Sequence, residues 1–303
     1  MKLSILILAG GEGTRFQPVS TPDKPKQFLN LVHPEKSMMQ QTWERAATLA
    51  KPQDIWIATN ERYVPLIKKD LPQAMESHII GETQKKNTAP AIALVTWMLA
   101  NKDPDTILVV FPSDHFIDDT NLFSQTIQTA VDAAKKFQGI VTLGIIPREA
   151  STQYGYIHRG KELDTVRKLF QVRGFTEKPI RHRADKFLAD GNYFWNSGMF
   201  IFPVGLMKEE MIRCHPPIAE ALAGLKDFPP KREFLEWFFE TVSSISIDYA
   251  VMEKTDRAMM IPASFFWSDV GSWEGLAELS KKQPIVIPAE IKAAMTAELQ
   301  GQS

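Results

Sequence analysis

The run Leu3 to Leu8, apolar but for Ser4, passes directly into a loop that carries Gly10, Gly11 and Gly13. A short apolar run bounded by turn residues reads as a buried strand of a parallel sheet. The glycines behind it let the backbone approach a ligand closely and adopt conformations closed to other residues. A loop of that kind presents backbone N–H groups as a nest for anions. Arg15 adds a bidentate, permanently charged fork for phosphate, and Lys26 a compact point charge. The combination suits a ligand with several negative charges, and a triphosphate fits. The glycines alone are equally compatible with a tight connection. Their spacing matches neither the dinucleotide fingerprint nor the Walker loop.

The rest of the chain decides the fold class. Short runs rich in Ile and Val at 3–8, 55–58, 78–80, 106–111 and 140–145 alternate with helical patterns at 38–50, 63–71, 89–100 and 122–137. That alternation predicts βαβ units and an α/β fold, a Rossmann-like mixed, mostly parallel sheet flanked by helices. Ligands bind such sheets beyond the carboxyl ends of the strands. Both the glycine loop and the Pro112-Ser113-Asp114-His115 turn fall there. From Tyr154 the rhythm changes to short strands at 155–158, 166–171 and 199–202, mixed with helices at 182–189, 204–213 and 231–239. This half is expected to complete the sheet and supply an acceptor pocket. Residues 1–282 read as one catalytic domain, and 283–303 as a short C-terminal tail of helical composition with a frayed end.

Composition removes several function classes. With 35 basic against 36 acidic residues and a formal net charge of −1, nothing argues for nucleic acid or a membrane surface. A phosphorylated ligand has to be held by local positive groups. The lone Cys214 excludes an internal disulfide and a thiolate metal site, which suits a reducing cytosol. It reads as a small, partly buried residue. No apolar segment reaches membrane-spanning length, and the N-terminal apolar stretch lacks a cleavage site. A cytoplasmic protein is expected.

Four further segments carry chemistry. Asp114 in F-P-S-D-H and Asp269 in W-S-D-V-G-S-W each have ordinary turn or capping roles open to them. Together they offer two carboxylates for Mg²⁺, which takes few protein ligands and keeps places for phosphate oxygens. Glu82, after Gly81, offers a carboxylate for the N1–H and exocyclic amine of guanine; a surface acid is the plain alternative. Thr88 is placed to cap a helix opening at Ala89-Pro90. Tyr154-Gly155-Tyr156-Ile157 offers a glycine against which a sugar ring could lie. Glu177-Lys178 combines a carboxylate for sugar hydroxyls with an ammonium for a sugar phosphate. Asn196, in W-N-S-G-M-F, supplies an amide that donates and accepts. His115 reads as a residue oriented by a hydrogen bond, Trp237-Phe238-Phe239 as core or interface, and Asp248 as a helix cap.

Taken together, Gly10 to Arg15, Pro18, Pro25-Lys26-Gln27-Phe28-Leu29 and the segments above resemble the nucleotide-diphospho-sugar pyrophosphorylases. More narrowly, they resemble the mannose-1-phosphate guanylyltransferase branch. The resemblance runs from Leu3 to about Leu279, with its motifs in family order. It implies the nucleotide-diphospho-sugar transferase fold and synthesis of GDP-mannose and pyrophosphate from GTP and mannose 1-phosphate, with Mg²⁺ as cofactor. The implied nucleotide-binding residues are Ala9, Gly10, Gly11, Gly13, Thr14, Glu82, Asn87, Thr88 and Ser113. Gly155, Glu177, Lys178 and Asn196 are implied for the sugar phosphate, and Asp114 and Asp269 for the metal. Catalysis falls to Arg15, Lys26 and Lys178. Alternatives are another nucleotide–hexose pair or a non-catalytic regulatory homologue. Two departures stand out. Lys86 occupies a position usually held by Arg, and the tail 281–303 lacks a β-rich continuation, so no β-helix domain is expected. The oligomeric state, a homodimer included, is left open.

Overall fold

The computed structural model describes residues 2–225 and 228–301. Its frame is a mixed sheet of nine strands: β1 (Leu3–Leu8), β2 (Ile55–Asn60), β3 (Ile79–Glu82), β4 (Ile107–Pro112), β6 (Ile140–Ile145), β7 (Tyr156–Asp164), β8 (Leu169–Thr176), β9 (Tyr193–Pro203) and β10 (Ala258–Pro262). Their order across the sheet is β3-β2-β1-β4-β9-β6-β10-β8-β7. β5 (Phe116–Ile117) and β11 (Trp267–Ser268) form a separate two-stranded ladder.

The block β3-β2-β1-β4 is wholly parallel. β9 then runs antiparallel to both β4 and β6. The parallel rhythm read from the first half therefore holds, and the later strands change its direction. The expected strand at 166–171 begins only at Leu169, because Lys168 turns at φ 49° and Val166 lies exposed in the turn. β10 went unread: A-M-M-I-P has neither alternation nor β-branched density to announce a strand.

Period-two alternation divides β1 between two cores. Ile5 and Ile7 face the layer built by α1 (Met38–Ala47), α2 (Val64–Asp70) and α4 (Thr120–Phe137), where Trp43, Ile67 and Ile127 are buried. Leu6 faces α3 (Thr88–Ala100), α6 (Val204–Cys214), α7 (Pro216–Leu222) and α8 (Arg232–Thr241). α3 is apolar almost all round and buried from Ala89 to Leu99, as expected for a helix enclosed by sheet and outer helices. α5 (Arg181–Asp190) covers the β7–β9 edge, and Phe187 stacks on Tyr193 there.

A third apolar cluster joins α9 (Trp273–Lys282) and α10 (Ala289–Gly301) to the segment after the glycine loop. Phe16 meets Trp273 edge-on at 4.9 Å, and Ile291 and Met295 of α10 are buried in the same cluster. Each such buried side chain contributes about 1.5–3 kcal/mol. The helical reading of the tail is met; its frayed end, Gln302 and Ser303, lies outside the described residues. Among the described residues no helix is long and apolar enough to cross a membrane.

Candidate active site

The glycine loop leaves β1 with its carbonyls turned inward. Gln27 donates Nε2 to the carbonyls of Ala9 (2.9 Å) and Gly11 (3.0 Å), and Thr59 Oγ1 donates to Ala9 at 2.9 Å. The N–H groups of residues 10–13 meet no protein acceptor among the described residues, which leaves them available to an anion. Gly13 sits at φ 62°, and a Cβ there would fall 2.6 Å from the backbone nitrogen of Lys26. Only glycine lets the loop close over the lysine. Thr14 and Arg15 stand exposed at the loop's outer end, with Arg15 on the wall of a polar cleft of about 490 Å³ shared with Asp269.

Lys26, almost fully buried, is the hub. Its Nζ donates to Asp114 Oδ2 at 2.8 Å, to the Asp114 carbonyl at 3.1 Å and to the Asp269 carbonyl at 2.5 Å. Ser113 fixes the approach of Asp114: its N–H donates to Leu8 and its carbonyl accepts from Thr42. Pairing of Ser268 with Phe116 in the β5–β11 ladder then brings Asp269 to the same spot. Burial alone would lift the Asp114 carboxyl, but the Lys26 ammonium outweighs it and holds the group below its ordinary range. His115 is oriented by a hydrogen bond, as expected: its Nδ1 accepts from Trp267 Nε1 at 3.1 Å. Burial lowers its pKa to about 4, so it stays neutral.

Asp269 is held from two sides. Tyr154 donates its hydroxyl to Asp269 Oδ1 at 2.7 Å, and the ring packs between Trp195 and Trp267. Oδ2 lies over Gly271, where a Cβ would come within 2.5 Å of it. Val270 between them takes φ 46°, a strained choice for a β-branched residue. A group of three or more side chains able to ligate a metal is absent among the described residues. Two carboxylates are nonetheless what Mg²⁺ takes from a protein when substrate phosphates fill the remaining places. Gly271 leaves one oxygen of Asp269 sterically free, and the donor set fits the ion.

On the other side of the loop lies a more apolar cavity of about 430 Å³. Leu8, Gly10, Gly11, Glu82, Asn87, Thr88, Pro112 and Asp248 are among its lining residues. Glu82 is buried there with no charged or hydrogen-bonding partner among the described residues, and burial raises its pKa to about 7. Helix capping differs from the sequence reading. Asn87, at φ 65°, is the N-cap of α3 through Oδ1, which accepts from Thr88 N at 2.9 Å. Thr88 Oγ1 instead accepts from Ile247 N at 2.9 Å, tying the segment 245–248 to the cavity. The Lys86 ammonium reaches the Glu240 carbonyl, at 3.4 Å.

The residues expected to hold an acceptor meet at the corner where β9 changes partners. Its register shifts between Thr142 and Gly144, and Gly198 takes φ 71° in a bulge that re-aims Asn196. Asn196 Nδ2 donates to Asp248 Oδ1 at 3.1 Å. A Cβ on Gly155 would collide with Glu177 Oε2, so the space above this glycine belongs to the carboxylate. Lys178, exposed and at φ 43°, pairs with Glu177 at 2.5 Å. Asp248 does not cap a helix, contrary to the sequence reading, and makes no cap bond. Tyr154, Thr142 and Asp248 were the residues sequence reasoning missed as site components. For Tyr154 alone a signal was at hand, since it directly precedes Gly155.

Comparison with known proteins places the chain in a family. The profile of the nucleotidyl transferase family matches residues 4–284. The chain is 40% identical over 284 residues to the xanthan biosynthesis protein XanB of Xanthomonas campestris pv. campestris (strain B100), covering 91% of this chain and 59% of the relative. It is 38% identical over 284 residues to a mannose-1-phosphate guanylyltransferase of Klebsiella pneumoniae, covering 91% and 60%. The chain thus spans about three fifths of the length of these curated relatives. A solved structure described as mannose-1-phosphate geranyltransferase from Thermus thermophilus superposes with a TM-score of 0.83 at 32% identity, over 94% of this chain and 81% of that one. With the family profile matched over nearly the whole described length and the frame superposing on a solved relative, the chain belongs to the nucleotidyl transferase family.

Proposed function

We propose that residues 1–282 form a cytoplasmic guanylyltransferase domain, with 283–303 as its C-terminal tail. The reaction is GTP plus mannose 1-phosphate giving GDP-mannose and pyrophosphate. The observation that carries this reading is the convergence of Lys26, Asp114 and Asp269 at the mouth of the glycine loop, with the Glu82 cavity on one side and the Arg15 cleft on the other. The N–H groups of residues 10–13, with Ala9 and Ser113 fixing the strand ends, support binding of the triphosphate. Glu82 supports choice of guanine, whose N1–H and amine both donate and which adenine cannot imitate.

An oxygen of the sugar phosphate attacks the α-phosphorus in line, and the bond to the β-phosphate breaks to release pyrophosphate. The attacking phosphate is already a competent nucleophile, so no protein base is needed. Mg²⁺ bound at Asp114 and Asp269 would neutralise charge on the α-phosphate oxygens. Lys26 holds the loop end of the triphosphate, and Arg15 receives the outer phosphates. Lys178, exposed beside Glu177, meets the phosphate of the acceptor, while Gly155, Glu177 and Asn196 form the wall for the hexose. Lys178→Ala should lower kcat/KM for mannose 1-phosphate far more than it weakens GTP binding, because its charge matters most as negative charge builds up. Chromatographic detection of GDP-mannose alongside calorimetric GTP binding tests this; equal losses for both ligands would make Lys178 structural.

A further inference from the structure

Asp248 has no role in the chemistry above and caps nothing, yet it lines the nucleotide cavity from the acceptor side. Its position is fixed by both halves of the site. On the nucleotide side, Thr88 Oγ1 accepts from Ile247 N, while Ile245 N donates to the Lys86 carbonyl and its own carbonyl accepts from Ala89 N. On the acceptor side, Asn196 Nδ2 donates to Asp248 Oδ1 at 3.1 Å.

The Asn196 amide is already committed. Its Oδ1 accepts from Thr142 Oγ1 at 3.1 Å and from Gly198 N at 3.2 Å, so the protein fixes its orientation and one amide hydrogen points at Asp248. An amide held in this way presents the carboxylate beyond it. We propose that Asp248 accepts a hydrogen bond from a sugar hydroxyl of the bound substrates, and that Asn196 is the residue that positions it. This rests on the guanylyl-transfer reading, since both substrates bring hydroxyls to this corner: the hexose of the acceptor and the ribose of the nucleotide. Burial, followed by the nearby Glu177 carboxylate, pushes the Asp248 pKa up to about 6. The Ser246 side chain already gives this carboxylate one hydrogen bond, and a substrate hydroxyl would add a second neutral donor beside the two acids.

Asp248→Asn keeps the shape and an acceptor oxygen for Asn196 but removes the charge. The test crosses this variant, and Asn196→Ala, with single-deoxy analogues of mannose 1-phosphate and with 2′-deoxy- and 3′-deoxy-GTP. In the parent, removal of the hydroxyl read by Asp248 should lower kcat/KM about 10- to 100-fold. Asp248→Asn should lose a similar factor on the full substrates and respond little to that same deletion. Asn196→Ala should blunt the same discrimination, which a loss of packing alone would not do selectively. Coupling to a hexose hydroxyl or to a ribose hydroxyl each supports the proposal and names the source. If the parent transfers but Asp248→Asn discriminates all analogues as the parent does, this proposal falls and the guanylyl-transfer reading stands. If the parent transfers nothing, both fall. Should Asp248→Asn fail to fold, Asp248→Ser retains an acceptor and is read in the same cycle.

Discussion

Glu82 and Asp114 stand on either side of one glycine loop, each at the end of a parallel strand, and the protein drives their charge states apart. Glu82 is buried with no partner among the described residues, and its pKa rises to about 7. Asp114 is also lifted by burial, but the Lys26 ammonium reverses the sign. Burial alone does not decide whether a carboxyl is charged; the partner does. An unpartnered acid waits for a ligand that donates, and a paired acid is ready for cations. In the proposed function, base recognition and phosphate chemistry separate along that line.

The largest effect should come from breaking the paired side. Lys26→Ala leaves Asp114 uncompensated and removes the charge that the proposed function sets against the triphosphate. Turnover should fall by about 10³-fold. Stability should fall by about 2–3 kcal/mol, less than for a fully buried pair because about a third of Asp114 faces solvent. Asp114→Asn and Asp269→Asn should each cut turnover about 10²-fold or more while the melting curve keeps its shape. Near-normal turnover of either variant at saturating Mg²⁺ would remove that residue from metal binding.

Tyr154→Phe sharpens the same side more gently. Loss of the hydroxyl that fixes Asp269 should weaken Mn²⁺ binding, read by electron paramagnetic resonance, by about tenfold. Turnover at saturating metal should change far less. A variant that binds Mn²⁺ like the parent would show that the tyrosine only packs between its tryptophans.

Glu82 predicts the opposite behaviour. If GTP binds as proposed, it meets the ionised carboxylate, and GTP affinity should fall about tenfold per pH unit as pH drops below 7. Glu82→Gln should remove this dependence and blur guanine over adenine. The folded pKa is raised above the unfolded value of 4.5, so protonation favours the fold and stability is lost as pH climbs from 4.5 through about 7. At pH 8 the Gln variant should therefore melt a few degrees higher than the parent. A lower melting temperature would mean that Glu82 has a partner in solution. The smallest effect belongs to Lys86→Arg: the side chain bonds the Glu240 carbonyl at 3.4 Å, and GTP binding should change less than about threefold.

Local chemistry was legible in the sequence, and long-range geometry was not. β1 and β6 could be read as short apolar runs buried on both faces, and α4 from its helical period. Glycine loop, Asp114 and Asp269 could be read because strand ends and turns announce themselves locally. The hub role of Lys26 needs residues 88 and 243 positions away, and no local pattern records that. Thr88 looked like a cap because Ala89-Pro90 follows it, yet the left-handed Asn87 took that place and freed the hydroxyl for Ile247. Asp248 looked like a cap for the same local reason, and only the bulge in β9 brings Asn196 against it.

Pyrophosphate release, measured for four nucleoside triphosphates against several hexose 1-phosphates, tests the assignment of the two sides most directly. Rapid release with GTP and mannose 1-phosphate, with ATP turned over at least about tenfold more slowly, is the result this geometry predicts. Release that is equally fast with ATP, or absent for every pair, would contradict it.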